Sequence, residues 1–233
     1  PATSALFSST PTTPAALPAA LRQAAVAAVA AAVAAVATKG KNMAAKPGER
    51  KLQILQNLAE MLQKPQGEKI TTASLAARIG VSEAALYRHF ASKAQMFEGL
   101  IEFIEQTLFG LINKITSEEN NGVKQLEAVL PLLLGFAQKN PGMTRVLIGE
   151  VLVNEDSRLQ TRINQLHDRL EATLKQSLRL AASQQKLSEV DAAAQANLMM
   201  SFVVGRWHQF AKSGFKREPM EFWGAQVRAL IKG

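Results

Sequence analysis

The 233-residue sequence has no cysteine, which excludes disulfides, thiolate metal sites and cysteine nucleophiles and fits a reducing cytoplasm. Aromatic residues are scarce at 6%. The histidines, His89, His167 and His208, stand far apart and lack the spacing of metal ligands. There is no glycine-rich phosphate loop, no His-Glu-x-x-His and no Gly-x-Ser-x-Gly, so no motif argues for an enzyme, and no catalytic residue, metal or cofactor is expected. No segment alternates apolar and polar residues like a half-buried strand. Residues 1–42 carry no acid at all.

Present instead are 47% hydrophobic and 20% charged residues, enough to build a core and too apolar for global disorder. Ala, Leu, Gln and Lys dominate, and their unbranched side chains lose little freedom on a helix. The formal charge is +8 and the pI about 9.9. Such an excess suits a polyanion, because Lys and Arg release counterions from a phosphate backbone. Charge alone does not choose among DNA, RNA and an anionic membrane, and a merely solubilising charge explains it equally well.

Composition changes near Met43. Residues 1–45 read as a low-complexity tail, rich in Ala, Val, Pro, Ser and Thr, whose small side chains bury little area. Met43 is the expected native start, with the preceding 42 residues an upstream extension or a dispensable tail. Ala24–Ala37 is all Ala and Val, short and weakly apolar for a bilayer span, so no membrane partner is expected. From Lys46 the pattern is helical and predicts an all-α protein of about nine helices. They are expected near Glu49–Lys64, twice within Lys69–Phe90, then Ser92–Ile115, Val123–Lys139, Met143–Val151, Ser157–Ala182, Ser188–Lys212 and Pro219–Ile231. Pro131 should kink the helix that contains it. The division is a DNA-binding unit over 46–95 and a helical dimerisation and partner- or ligand-binding unit over 96–233.

The segment Lys69–Lys93 reads as a helix-turn-helix. Thr71 or Thr72 can cap its first helix, and Leu75, Ala76 and Ile79 share one face. Gly80 stands where a helix must end with positive φ. Val81 fills the elbow, Ser82 caps the second helix, Glu83 adds early negative charge, and Leu86 and Phe90 anchor that helix. Ser82, Glu83, Ala84, Tyr87, Arg88 and His89 are left outward, the side that enters a major groove. Ala84 suits a thymine methyl, the Tyr87 hydroxyl a phosphate or base edge, and His89 and Lys93 phosphates at the far end. Thr71, Thr72 and the helix-start amides suit a phosphate, with Arg50 and Lys51 adding charge on the flank.

The run Thr71-Thr72 through Gly80-Val81-Ser82 to Leu86-Tyr87-Arg88-His89-Phe90, then Ser92-Lys93, resembles the signature of the TetR family of dimeric DNA-binding proteins. The likeness extends through Met96–Glu105, Leu132–Arg145 and Arg162–Leu166 to the nucleoid occlusion branch of that family. This resemblance implies a homodimer on palindromic double-stranded DNA, nucleoid-associated in the cytoplasm, that antagonises polymerisation of the division protein FtsZ. It further implies a groove for the FtsZ tail beside the long fourth and fifth helices, using Phe103, Leu111, Leu132, Gly135, Lys139 and Asn140. The family pattern has arginine where this chain has Leu111 and Lys139, and lysine lacks the bidentate fork for a carboxylate. Pro131 has no counterpart in that pattern.

Elsewhere the residues leave alternatives open. Leu130, Leu132, Leu133, Leu134 and Phe136 suit plain core or a ligand cavity, and a cavity would make the chain a repressor responding to a small molecule. Met199 and Met200 suit packing or such a pocket. Phe202, Gly205, Arg206, Trp207 and Phe210 on the eighth helix, with Phe222 and Trp223 on the ninth, suit a four-helix seam between two subunits, or burial within one.

Overall fold

The computed structural model describes residues 47–64, 70–185 and 191–232. The tail read for residues 1–45 and the helix start expected at Ser188 lie outside these residues. The described residues form nine α-helices and one short 3-10 turn. Helix α1 is Pro47–Met61, α2 is Thr72–Ile79, α3 is Glu83–Tyr87 and α4 is Lys93–Glu118. Helix α5 is Gly122–Lys139, α6 is Pro141–Leu147, α7 is Ser157–Ser183, α8 is Ala192–Lys212 and α9 is Trp223–Lys232.

Local chemistry sets most of these ends. Thr71, not Thr72, caps α2: its Oγ accepts from the Ser74 N–H and the Ser74 hydroxyl accepts from the Thr71 N–H, both at 3.1 Å. Gly80 closes α2 in the left-handed region at φ 72°, which a side chain would resist. Ser82, Ser92, Asn121, Asp156 and Asp191 cap α3, α4, α5, α7 and α8 through their side chains. Pro131 lies inside α5, which continues through it to Lys139.

Three ends depart from the sequence pattern. The single helix expected over Met143–Val151 divides, because Gly149 turns the chain at φ 73° between α6 and the 3-10 turn Glu150–Leu152. The recognition helix α3 stops at Tyr87, so His89 and Lys93 lie beyond it, in the following turn and at the start of α4. Helix α9 begins at Trp223 rather than Pro219. The Arg206 guanidinium holds the preceding segment as a turn by donating to the carbonyls of Pro219 (3.1 Å), Glu218 (2.7 Å) and Glu221 (3.0 Å).

One continuous apolar core runs from Ile54 on α1 to Ile231 on α9. Leu58, Leu75 and Leu86 close the three-helix unit. Ile101, Ile104 and Leu108 on α4 belong to the same core as Leu133, Leu170 and Met199 of the larger bundle. The division expected at 95/96 falls in the first turn of α4, so the two units share that helix. Leu130, Leu132, Leu133, Leu134 and Phe136 are all buried, as are Met199 and Met200. No helix among the described residues is long and apolar enough to cross a membrane.

Candidate functional site

Helices α2 and α3 meet at the Gly80-Val81 elbow, where buried Leu75, Ala76 and Leu86 hold them together. This leaves Ser82, Glu83, Ala84, Tyr87 and Arg88 exposed on one side, with His89 half-buried beside them. Polar groups on this side are tied to each other. The Thr72 hydroxyl donates to Glu83 Oε2 at 2.7 Å, and the Tyr87 hydroxyl donates to Thr72 Oγ1 at 3.3 Å. Thr72 thus organises the presented face, while Thr71 serves the helix cap. On the flank, Arg50 donates to Gln53 Oε1 at 2.6 Å, and the Lys51 ammonium sits 5.7 Å from the centre of the Phe90 ring. Lys93 is engaged differently from the sequence expectation. Its ammonium is ion-paired with Glu155 and stands over the Phe97 ring.

Three contacts that the sequence pattern does not indicate attach this unit to the rest of the molecule. Arg145 on α6 donates to the carbonyls of Leu62 (3.0 Å) and Lys64 (3.1 Å), just past the end of α1, and to Glu150 at 3.3 Å. Gly142 lies against the backbone of α1, where a methyl group would run into the Ala59 carbonyl oxygen. Glu155, in the turn before α7, takes Lys93. The residue after it, Asp156, accepts from the Arg158 guanidinium and backbone N–H, which holds its carboxyl down at about 2. Nothing local in the sequence marks Arg145 or Glu155, whose partners lie 83 and 62 residues away.

An open groove of about 160 Å³ runs where α1 meets α4 and the α5–α6 junction. Its walls are Leu52, Leu55, Gln56 and Ala59 on one side and Leu100, Phe103, Lys139 and Met143 on the other. Of the residues assigned to a partner groove from the sequence, Phe103, Lys139 and Asn140 come together here. Asn140 is 5% exposed, and its amide donates to the Phe136 carbonyl at 2.7 Å, shaping the junction. Gly135 sits one turn before Lys139 with open space above it. Leu132 is buried at 2% exposure, and Leu111, two turns further along α4 than Phe103, and Gly135 do not line this groove. The groove also involves α1, which the sequence pattern left out.

The expected subunit seam is likewise narrowed. Trp207 is fully buried and donates its indole N–H to the Leu133 carbonyl at 3.1 Å, and Phe210 is buried beside it. Both serve the interior of one subunit, because the face of α8 that carries them turns toward α5 and α7. Arg206 is committed to the turn before α9. The outward face of α8 instead carries Leu198, 53% exposed, half-buried Phe202 and exposed Gly205. Phe222, in the turn before α9, is 64% exposed, and Trp223 is half-buried.

Residues 59–100 match the family profile "Bacterial regulatory proteins, tetR family", and residues 120–232 match "Tetracyclin repressor-like, C-terminal domain" of the SlmA-like type. The chain is 52% identical over 188 residues to the nucleoid occlusion factor SlmA of Alteromonas mediterranea, covering 80% of this chain and 96% of that protein. It is 51% identical over 189 residues to the protein of that name from Idiomarina loihiensis, covering 81% and 96%. Among solved structures, a TetR transcription regulator from Haloarcula marismortui shares the fold with a TM-score of 0.69 at 16% identity, covering 79% of this chain and 97% of that one. PfmR from Thermus thermophilus, a TetR family regulator, gives 0.65 at 24% identity over 78% and 98%.

Proposed function

The chain belongs to the SlmA branch of the TetR family of DNA-binding proteins, and on that premise we propose that it is a nucleoid occlusion factor that acts on FtsZ while bound to DNA. Two copies pair through the outward faces of α8 and α9, around Leu198, Phe202, Gly205 and Phe222. Pairing sets two α3 helices at a fixed separation, which a palindromic duplex with matching half-sites satisfies. DNA binding places the protein on the nucleoid. The FtsZ tail enters the groove beside Phe103, Lys139 and Asn140.

The observation that carries this reading is the position of the groove. One wall is α1, part of the helix-turn-helix unit, and the other is α4 with the α5–α6 junction. A peptide seated there touches both the part that holds DNA and the part that holds the second subunit. Half-buried Leu52 and Phe103, with the edges of Leu55 and Met143, supply apolar surface, and Lys139 and Asn140 supply polar edges. The test is a titration of labelled FtsZ C-terminal peptide into the protein–DNA complex. Phe103→Ala should weaken peptide capture by roughly ten-fold or more, the scale of a buried aromatic anchor, and leave DNA affinity unchanged. Equal capture by parent and variant overturns the groove assignment.

A further inference from the structure

The chain of hydrogen bonds across Thr72, Glu83 and Tyr87 fixes where the Thr72 proton lies. An ionised carboxylate has no proton to give, so the Thr72 hydroxyl donates to Glu83 Oε2 across 2.7 Å. A hydroxyl has a single proton. With that proton given to Glu83, Thr72 can only accept, and the Tyr87 phenol donates to it across 3.3 Å. The Thr72 proton is therefore spent internally, while the Tyr87 contact is long for an O–H···O bond and leaves the phenol proton available. Glu83 keeps a second carboxylate oxygen, which is an acceptor alone.

Phosphate oxygens are acceptors and carry negative charge, so the Glu83 carboxylate does not suit the DNA backbone. The donors available in a major groove are the amino groups of cytosine and adenine. The adenine amino group is flanked by its own N7 on one side and by thymine O4 on the other, both acceptors that repel a carboxylate. The cytosine amino group has an acceptor, guanine O6, on one side only, with the ring C5–H on the other. A carboxylate therefore distinguishes the two. Glu83 is exposed and stands at the first position of the recognition helix, and Thr72 from the preceding helix already fixes its rotamer. Fixing it before docking lowers the entropy lost on binding.

We infer that Glu83, oriented by the Thr72 and Tyr87 hydroxyls, is a specificity-determining residue that accepts a hydrogen bond from a cytosine amino group in each half-site. The inference rests on the DNA-binding function proposed above. Thr72 is the positioning residue here, with the Tyr87 hydroxyl behind it.

The test selects bound duplexes from random DNA with the full chain and with Glu83→Ala, Glu83→Gln and Thr72→Val. The parent should require cytosine at one position of the half-site. Glu83→Ala should lose that preference by roughly ten-fold or more, with the other positions unchanged. Glu83→Gln should shift the same position toward adenine, since a carboxamide pairs with adenine N6 and N7 together. Thr72→Val should weaken the cytosine preference several-fold without replacing it. Binding of each variant to random duplex, at least as tight as the parent's because a negative charge is gone from the Glu83 variants, shows that the module is folded. Identical consensus sequences from the parent and both Glu83 variants overturn the inference while leaving DNA binding intact. A parent that selects no consensus overturns the proposed DNA reading itself, and this inference with it.

Discussion

Lys93, the first residue of α4, is ion-paired with Glu155 in the turn before α7. The side chains are 27% and 17% exposed, so the pair is shielded in part from solvent. Lys93 is also the lysine nearest the end of the recognition helix. A phosphate that approaches it competes with a carboxylate already in place.

Replacing Glu155 by Gln removes that competitor. DNA affinity of Glu155→Gln should rise several-fold, and the slope of log affinity against log salt should steepen by about one, the amount expected for one further phosphate contact. Adding Lys93→Ala to that variant should lower affinity again and return the slope to the parent's value. Fluorescence anisotropy across a salt series measures both. A slope that changes at neither step would show that Lys93 meets no phosphate.

Arg145 and Gly142 join α6 to α1. Arg145→Ala leaves the Leu62 and Lys64 carbonyls without these donors and removes one partner of Glu150, which retains Lys212 at 3.6 Å. Loss of a partly buried charged donor should cost about 1–3 kcal/mol. Gly142→Ala should cost a similar amount, about 1–3 kcal/mol, because α1 and α6 must separate to admit a methyl group. Urea unfolding of each variant checks these values, and a midpoint equal to the parent's would mean that the junction is loose.

Stability should also depend on pH through His167. Burial holds its imidazole below the usual histidine value, against a hydrogen bond to the Leu147 backbone and the nearby Asp168, which favour the charged form; His208 acts with burial. The ring lies 5.8 Å from Trp207, and its Nε2 is buried without a partner. The folded protein therefore keeps His167 neutral at a pH where the unfolded chain protonates it. Below about pH 6.5 the unfolded state binds the extra proton, so stability falls as pH drops through that value and this contribution is flat above it. Urea midpoints from about pH 8 to about pH 5.5 should show the decline, and His167→Gln should reduce it. A parent and variant with parallel profiles would exclude His167 as the source.

The apolar strip on α8 predicts the effect of a charge there. If two copies pair as proposed, Leu198→Glu should convert the pair to monomer, seen as a halved mass by light scattering at micromolar concentration. The variant should still fold, since Leu198 makes no part of the subunit core. An unchanged mass would place the subunit seam elsewhere.

The helix-turn-helix was legible because its determinants are local. A capping hydroxyl, a glycine at positive φ and a serine at the next helix start all act within a few residues of themselves. The choice between Thr71 and Thr72 was not legible, since both stand at the helix start in sequence, and only the fold sets the Thr71 side chain on the Ser74 N–H and the Thr72 hydroxyl on Glu83. Trp207 and Phe210 suited a subunit seam by composition. Which face of α8 turns inward depends on its packing against α5 and α7, and the hydrogen bond to Leu133 spans 74 residues. Helix α1 entered the groove wall for the same reason: its contact with Gly142 is made in three dimensions. The Arg145 clamp left no local trace at all.

Sedimentation of FtsZ polymers tests the central claim most directly. Polymer assembled with GTP is pelleted alone, with the protein, and with the protein plus either a duplex carrying its selected palindrome or a scrambled duplex of equal length. Loss of FtsZ from the pellet with protein and palindrome together, and much less with the scrambled duplex, is the predicted result. An undiminished pellet with protein and palindrome would contradict a DNA-bound antagonist of FtsZ.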